Sequence, residues 1–198
     1  MNVFYKHMFD LFESIEDCFA KNRILPCLAL IYSGIDVIAS LEAKPGEKVQ
    51  KYFVGWVESY LLKAGPLHCS AIELYGARCG IVHTFTSRSN FSKNGKARSI
   101  YYAWGKANVA DFEKASKVLG IGRNDVIMLH VRDLIDAFRQ ATVNFLDDVE
   151  AHPNRAPTIE SALGHWFMDC NPKEIKSLVD LHDLQSKNLI RPPASTII

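Results

Sequence analysis

Hydrophobic and polar residues alternate along this chain with spacings of three and four positions, which is the period of amphipathic helices. Clusters of Gly and Pro at residues 44–46 and 64–66 interrupt the pattern and separate neighbouring helices. The predicted helices cover about residues 3–21, 26–41, 49–60, 70–85, 108–119, 124–150, 159–167 and 172–182. A short extended segment is predicted at residues 98–104, where Ile, Tyr and Trp are concentrated. We therefore expect an all-α protein, a helical bundle with one short β segment.

The clearest boundary in the sequence is the stretch from His152 to Pro157, which holds two prolines and little apolar periodicity. It predicts a main helical domain over residues 1–150. Residues 151–183 are expected to form a C-terminal helical hairpin that braces the same domain, and residues 184–198 a flexible tail.

Composition narrows the class of protein. With 198 residues, 48% of them hydrophobic, the chain can fill one core. Its net charge of +1 provides no overall field for nucleic acid. The five cysteines lack metal-ligand spacing and indicate reduced thiols in a cytoplasmic protein without a metal site. Acidic residues in the first helix argue against a signal peptide, and no apolar run is long enough for a membrane span.

The helix predicted at residues 70–85 carries two apolar stripes on nearly opposite faces. At roughly 100° per residue, the first stripe holds Ile72, Tyr75, Cys79 and Val82. The second stripe holds Leu74, Ala77, Ile81 and Phe85. We therefore expect this helix to be buried almost all round.

Arg78 and His83 interrupt this apolar helix. Five positions apart, they point roughly 140° from one another, so we expect them to flank the first stripe instead of stacking on one face, with its packing partner between them. A guanidinium offers a planar fork to phosphate oxygens, and an imidazole exchanges protons near neutral pH. The pair therefore indicates a phosphate-cleaving site. The ordinary alternative is an edge Arg that pairs with a carboxylate and an edge His that bonds a carbonyl.

The stretch Arg78-Cys79-Gly80-Ile81-Val82-His83 resembles the Arg-x4–6-His motif of the HEPN superfamily of helical ribonucleases and nucleotide-associated proteins. Residues 29–41 also resemble the second helix of plasmid- and defence-associated members. The resemblance covers about residues 1–150. Cys79 departs from the Asn, Asp or His that most often follows the motif Arg.

The resemblance implies a HEPN-like bundle and a metal-independent endoribonuclease with no cofactor, acting in a toxin, defence or stress context. The RNA 2′-OH would attack the adjacent phosphorus and leave 2′,3′-cyclic phosphate and 5′-OH ends. Arg78 and His83 would be the catalytic residues, supported by Asp36, Tyr75 and Cys79. Because one chain has a single convincing His, a homodimer would complete a composite active site. The helix C-terminus is expected to favour the protonated form of His83.

Residues 78–106 contain no Asp or Glu and form a basic segment. We expect Arg88, Lys93, Lys96 and Arg98 to bind the phosphates of single-stranded RNA. Tyr101 and Tyr102 either stack on bases or pack on the bundle, whereas Trp104 is expected in the core.

Two alternatives to the ribonuclease remain open. A catalytically silent HEPN-like dimer would bind RNA, nucleotide or a partner protein. A toxin held inactive by an antitoxin or another regulatory partner would reach its RNA only after release.

Overall fold

The computed structural model describes residues 2–86, 90–118, 120, 125–164 and 172–186. These residues are mostly helical, with a short sheet of two strands. The chain divides into two compact units, residues 1–164 and residues 165–198. None of the helices in the described ranges combines the length and apolar character that crossing a membrane requires.

The elements of the first unit follow one another in a simple order. Before the sheet lie α1 (Asn2–Ala20), α2 (Ile24–Ser40), α3 (Val49–Trp56), a π-helical turn (Val57–Leu61), α4 (Leu62–Ala64), α5 (Ala71–Thr84) and α6 (Asn90–Lys93). Then come β1 (Ser99–Ala103), α7 (Val109–Val118), β2 (Val126–His130), α8 (Val131–Ala151), a 3₁₀ turn (Pro153–Arg155) and α9 (Ala156–Leu163). The helices predicted before the basic segment are therefore confirmed.

Helix α2 is the centre of the first unit, because α1, α3, α5 and α8 all pack against it. Its sequence is apolar on most sides, which suits a helix with neighbours all around it. The buried residues of α2 are Cys27, Leu28, Ile31, Tyr32, Gly34, Ile35, Ile38 and Ala39.

Strands β1 and β2 pair in parallel, with Ser99 opposite Val126 and Ala103 opposite His130. The sequence led us to expect residues 126–130 at the start of the long helix, and this prediction was wrong. A short continuous apolar run fits a strand as well as a helix. Here the pairing with β1 satisfies its backbone, and α8 begins only at Val131.

The division of the chain falls after residue 164, later than the boundary we predicted near residue 150. Ile159 and Leu163 of α9 are 3% and 7% exposed, so this helix contributes to the core of the first unit. In the second unit, α10 covers Pro172–Ser186 and includes the first three residues of the predicted tail. Residues 187–198 lie outside the described part, and the bracing role of the hairpin stays a prediction.

Gly34 lies where α1, α2 and α8 meet. A Cβ built on Gly34 would lie 2.6 Å from Leu11 Cδ2 and 2.8 Å from Phe138 Cζ. Replacing it with Ala should therefore overpack the centre of the bundle. We expect Gly34→Ala to lower the free energy of unfolding by about 1–3 kcal/mol in urea denaturation.

Gly55 provides the matched control, since it is a helical glycine with nothing within 4 Å of an added Cβ. Gly55→Ala should raise stability by about 0.5–1 kcal/mol through helix propensity alone. Equal effects of the two substitutions would contradict close packing at Gly34.

Glu16 joins α1 to α8 through two arginines. Arg132 Nη1 and Nη2 donate to its carboxylate at 2.8 and 2.9 Å, and Arg139 Nη2 donates at 2.8 Å. The Arg132 hydrogen bond is the largest influence and, with Arg139, lowers the pKa of Glu16 from 4.5 to about 2, although burial acts in the opposite direction.

This pKa predicts acid sensitivity. Because the native pKa lies below the unfolded value of 4.5, the stabilisation is complete above pH 4.5 and is lost as the pH falls towards 2. The free energy of unfolding of the wild type should therefore fall more steeply over this range than that of Glu16→Gln. Parallel pH profiles from urea denaturation would contradict the assignment.

Candidate active site

Helix α5 has well-defined ends. At its start, Ser70 Oγ accepts from the backbone N–H of Glu73 at 3.3 Å, and Glu73 Oε2 accepts from the backbone N–H of Ser70 at 2.8 Å. This reciprocal capping satisfies N–H groups that a helix start leaves free. At its end, Phe85 adopts a left-handed conformation with φ 51°, which stops the helix. The predicted bounds of 70–85 are confirmed.

The two apolar stripes of α5 differ in their surroundings. Leu74, Ala77 and Ile81 are buried in the region where α5 packs against α2, α3 and β1. The other stripe, Ile72, Tyr75, Cys79 and Val82, is only half-buried. The expectation of a helix buried almost all round is therefore wrong, because one face of α5 has incomplete cover within the described chain.

Arg78 reaches from α5 to α2, where it forms an ion pair with Asp36. Arg78 Nε donates to Asp36 Oδ2 at 2.6 Å, and Nη2 lies 2.6 Å from the same oxygen. The two side chains are 12% and 17% exposed. Two contacts from one guanidinium to one oxygen fix the plane of the fork, so the direction of the remaining nitrogen, Nη1, is also fixed.

Nη1 of Arg78 contacts Nε2 of His83 at 2.7 Å. The sequence predicted a packing partner between the two side chains, and this prediction is wrong, because their ends are in direct contact. Their Cα–Cβ directions diverge, as helix geometry requires, but the long stem of Arg78 allows its end to reach the imidazole. Asp36, Arg78 and His83 thus form a continuous line from buried helix to exposed imidazole, which we call the Asp36–Arg78–His83 line.

This contact defines the protonation state of His83. A guanidinium can only donate, so Nε2 of His83 must accept. A hydrogen bond between these two atoms therefore requires the tautomer of His83 that carries its proton on Nδ1. From the sequence we expected the helix C-terminus to favour the protonated form, whereas the geometry describes the form that can act as a base.

Burial is the dominant influence on Asp36. It raises the pKa of this carboxyl, although the hydrogen bond and charge of Arg78 and the charge of His83 lower it. Burial disfavours the cation of Arg78, but the hydrogen bond and charge of Asp36 outweigh it and raise the Arg78 pKa. Asp36 Oδ1 is buried and has no hydrogen-bond partner among the described residues. It is a free acceptor beside the guanidinium.

The supporting residues Tyr75 and Cys79 lie beside this line. Burial, followed by the charge and hydrogen bond of Cys79, raises the pKa of the Tyr75 hydroxyl. Cys79 also contributes, after Asp36, to raising the pKa of Arg78. Tyr52 was not among the site residues that the sequence predicted. Burial and the charge of Asp36 raise its pKa, so its hydroxyl lies within the field of the site.

The structure describes the side chains of two of the four residues that we expected to bind RNA phosphates, Lys96 and Arg98. Lys96 is exposed. Arg98 pairs with Glu73, with Nε donating to Oε1 at 2.5 Å and Nη2 to Oε2 at 3.2 Å. This pair ties β1 to the start of α5 and leaves Arg98 less charge for a phosphate. Arg88 and the side chain of Lys93 lie outside the described residues.

The aromatics of β1 favour packing over base stacking. The Tyr101 ring lies 5.5 Å from that of Phe112, and the Tyr102 hydroxyl lies 2.5 Å from the Tyr32 hydroxyl. Burial raises the pKa of Tyr102, although the Tyr32 hydrogen bond acts in the opposite direction. Trp104 is 47% exposed, so its predicted core position is wrong.

Other histidines lie elsewhere in the fold. His130 ends β2, and its Nδ1 accepts from the backbone N–H of Arg132 at 3.2 Å, which caps α8. Among the described residues, no group of three His, Cys, Asp or Glu side chains could hold a metal ion. Within these ranges, the Asp36–Arg78–His83 line is the best-supported candidate for chemistry.

Comparison of the chain with models of known protein families, with curated proteins and with solved structures gave no match. The functional argument therefore rests on the residues and their geometry.

The Arg78 contact predicts the tautomer of His83. Long-range ¹H–¹⁵N correlation spectra at pH 8 should show His83 neutral and protonated at Nδ1. Arg78→Met removes the donor, so the Nε2–H tautomer should become populated.

Arg98→Met is the control, because it removes another arginine–carboxylate pair at α5 without touching His83. It should leave the His83 signals unchanged. A wild-type His83 protonated at Nε2 would rule out the contact in solution.

Proposed function

We propose that this protein is a HEPN-type endoribonuclease that cleaves RNA without a metal ion. The observation that carries the proposal is the Asp36–Arg78–His83 line, in which a fixed guanidinium meets a neutral, exposed imidazole at 2.7 Å. A donor fork and a base side by side suit phosphoryl transfer within RNA. The resemblance of residues 78–83 to the Arg-x4–6-His motif supports the same activity.

The chemistry needs Arg78 to change partners. A phosphodiester oxygen is a stronger acceptor for Nη1 than a neutral imidazole, because it carries charge. Once the phosphate takes this N–H, Nε2 of His83 is free to accept the proton of the 2′-OH. The 2′-oxygen then bonds to phosphorus, and the bond from phosphorus to the 5′-oxygen breaks. Asp36 holds the guanidinium in place throughout and is a positioning residue.

The departing 5′-oxygen requires a proton from an acid. We propose that His83 of a second copy, released from its own Arg78 and protonated at Nε2, supplies it in a two-fold dimer, which makes the active site composite. The half-buried stripe of Ile72, Tyr75, Cys79 and Val82 supports this arrangement, since it lies on the same helix as Arg78 and His83. Single-stranded RNA would approach along the basic segment, where Lys96 is exposed.

A second candidate function is a silent HEPN-like dimer that binds RNA, nucleotide or a protein. This alternative is favoured because Arg78 already donates hydrogen bonds to Asp36 and His83 within the chain and needs no phosphate as a partner. Where the ribonuclease acts as a toxin, an antitoxin or another regulatory partner would control access to this same site.

The test is cleavage of a labelled single-stranded RNA in excess EDTA, with analysis of the product ends. Wild type should produce 2′,3′-cyclic phosphate and 5′-OH ends. We expect Arg78→Ala and His83→Ala to lower the rate by about 10²–10³-fold, since each removes a transition-state contact. Asp36→Asn should lower kcat more than it raises KM, because it loosens Arg78 without touching the RNA.

Arg23→Ala and His182→Ala are matched controls at exposed positions and should cleave at the wild-type rate. An RNA with a single 2′-deoxy residue at the cleavage site should resist cleavage there. RNA binding without cleavage by folded wild type would instead favour the silent binding protein.

A further inference from the structure

A groove runs along α1 and α8 on the first unit. The two helices run antiparallel, since Glu16 meets Arg132 near the start of α8, whereas Tyr5 shares a cavity with Glu150 near its end. Both pack on α2, and the Phe12 and Phe138 rings connect them at 5.1 Å. The depression between them has a volume of about 1040 Å³. We call it the α1/α8 groove.

The α1/α8 groove is apolar where it opens to solvent. Phe9, Tyr5 and Val143 line it and are 63%, 52% and 45% exposed. A cluster of large exposed apolar side chains costs free energy in water and typically marks an interaction surface. A second cavity continues from Tyr5 and Val143 towards the C-terminal end of α8. At 1.5 Å per residue, the α1 side of the groove is about 20 Å long, or roughly four helical turns.

The rims of the α1/α8 groove are acidic. Glu13 lies on one side, and Asp147 and Glu150 line its continuation on the other. All three carboxylates are exposed to solvent. The lining cation, Arg139, is already paired with Glu16. The groove therefore presents an apolar floor between exposed negative charges.

We propose that the α1/α8 groove binds an amphipathic helix of a partner protein, with an apolar stripe flanked by Lys and Arg. Apolar anchors at positions i, i+3 or i+4, and i+7 would fill the floor, and the basic flanks would meet Glu13, Asp147 and Glu150. A second copy of this chain fits less well. A two-fold contact would place the acidic rim of one copy against the same rim of the other.

This binding surface is independent of the ribonuclease activity, because none of its lining residues belongs to the Asp36–Arg78–His83 line. The probe is a designed 16-residue helical peptide with a Leu stripe flanked by Lys and Arg. The control peptide keeps the stripe and replaces every Lys and Arg with Glu. Fluorescence anisotropy of labelled peptide measures binding to the full chain.

We expect the basic peptide to bind at least tenfold more tightly than the acidic one. Phe9→Glu should abolish binding by placing a charge on the floor, and the double variant Glu13→Lys/Glu150→Lys should weaken it about tenfold. Val118→Glu changes an 85% exposed apolar residue outside the groove and should bind like wild type. Circular dichroism verifies that each variant is folded.

Two outcomes would overturn the proposal. One is equal or absent binding of the basic and acidic peptides to wild type. The other is loss of self-association in Phe9→Glu, observed by light scattering, together with no peptide binding by wild type; this result would identify a second copy as the occupant. RNA cleavage is measured separately with variants of Arg78 and His83, so failure of this proposal can be distinguished from failure of the ribonuclease proposal.

Discussion

The ion pair between Arg78 and Asp36 is the constraint on which the candidate site depends. A guanidinium that is only 12% exposed loses much of its hydration and needs an anionic partner at close range. Asp36 is that partner only because α5 packs against α2 in this register. The packing of the bundle therefore fixes the position of Arg78. The position of Arg78 in turn makes Nε2 of His83 a hydrogen-bond acceptor. A change in the helix packing would alter the chemistry at the surface.

The same helix is anchored a second time near its start. Glu73 is 6% exposed, and it joins the capping of α5 to the Arg98 side chain just before β1. Burial opposes its ionisation, yet the contacts with Arg98 and Ser70 lower its pKa. The charged residues of α5 thus hold neighbouring elements in place at two points. The buried side chains of Leu74 and Ala77 lie between these points.

The sequence predicts much of the helical framework and less of the site. The bounds of α5 follow from its capping residues and apolar period, both of which are local. The bounds of strand β2 do not follow from local features, because a run such as Val-Ile-Met-Leu-His acquires its conformation from the partner strand. The Arg78–His83 contact was missed for a similar reason. Helical angles describe Cβ directions, whereas Asp36 on another helix determines where a long side chain ends. Trp104 was placed in the core on its residue type alone, without knowledge of its neighbours.

The two anchors of α5 have a consequence for the segment that connects α5 to β1, residues 85–98. The chain leaves α5 at Phe85 and is tied back to the start of the same helix by the pair of Arg98 and Glu73. The twelve residues from Glu73 to Phe85 span about 18 Å of helix, so the two ends of this segment are held at a fixed separation. Its closure entropy depends only weakly on its length, about 0.6 kcal/mol for each doubling. Insertions or deletions in this segment can therefore change which surface the protein presents, at little cost to the fold and without moving Arg78.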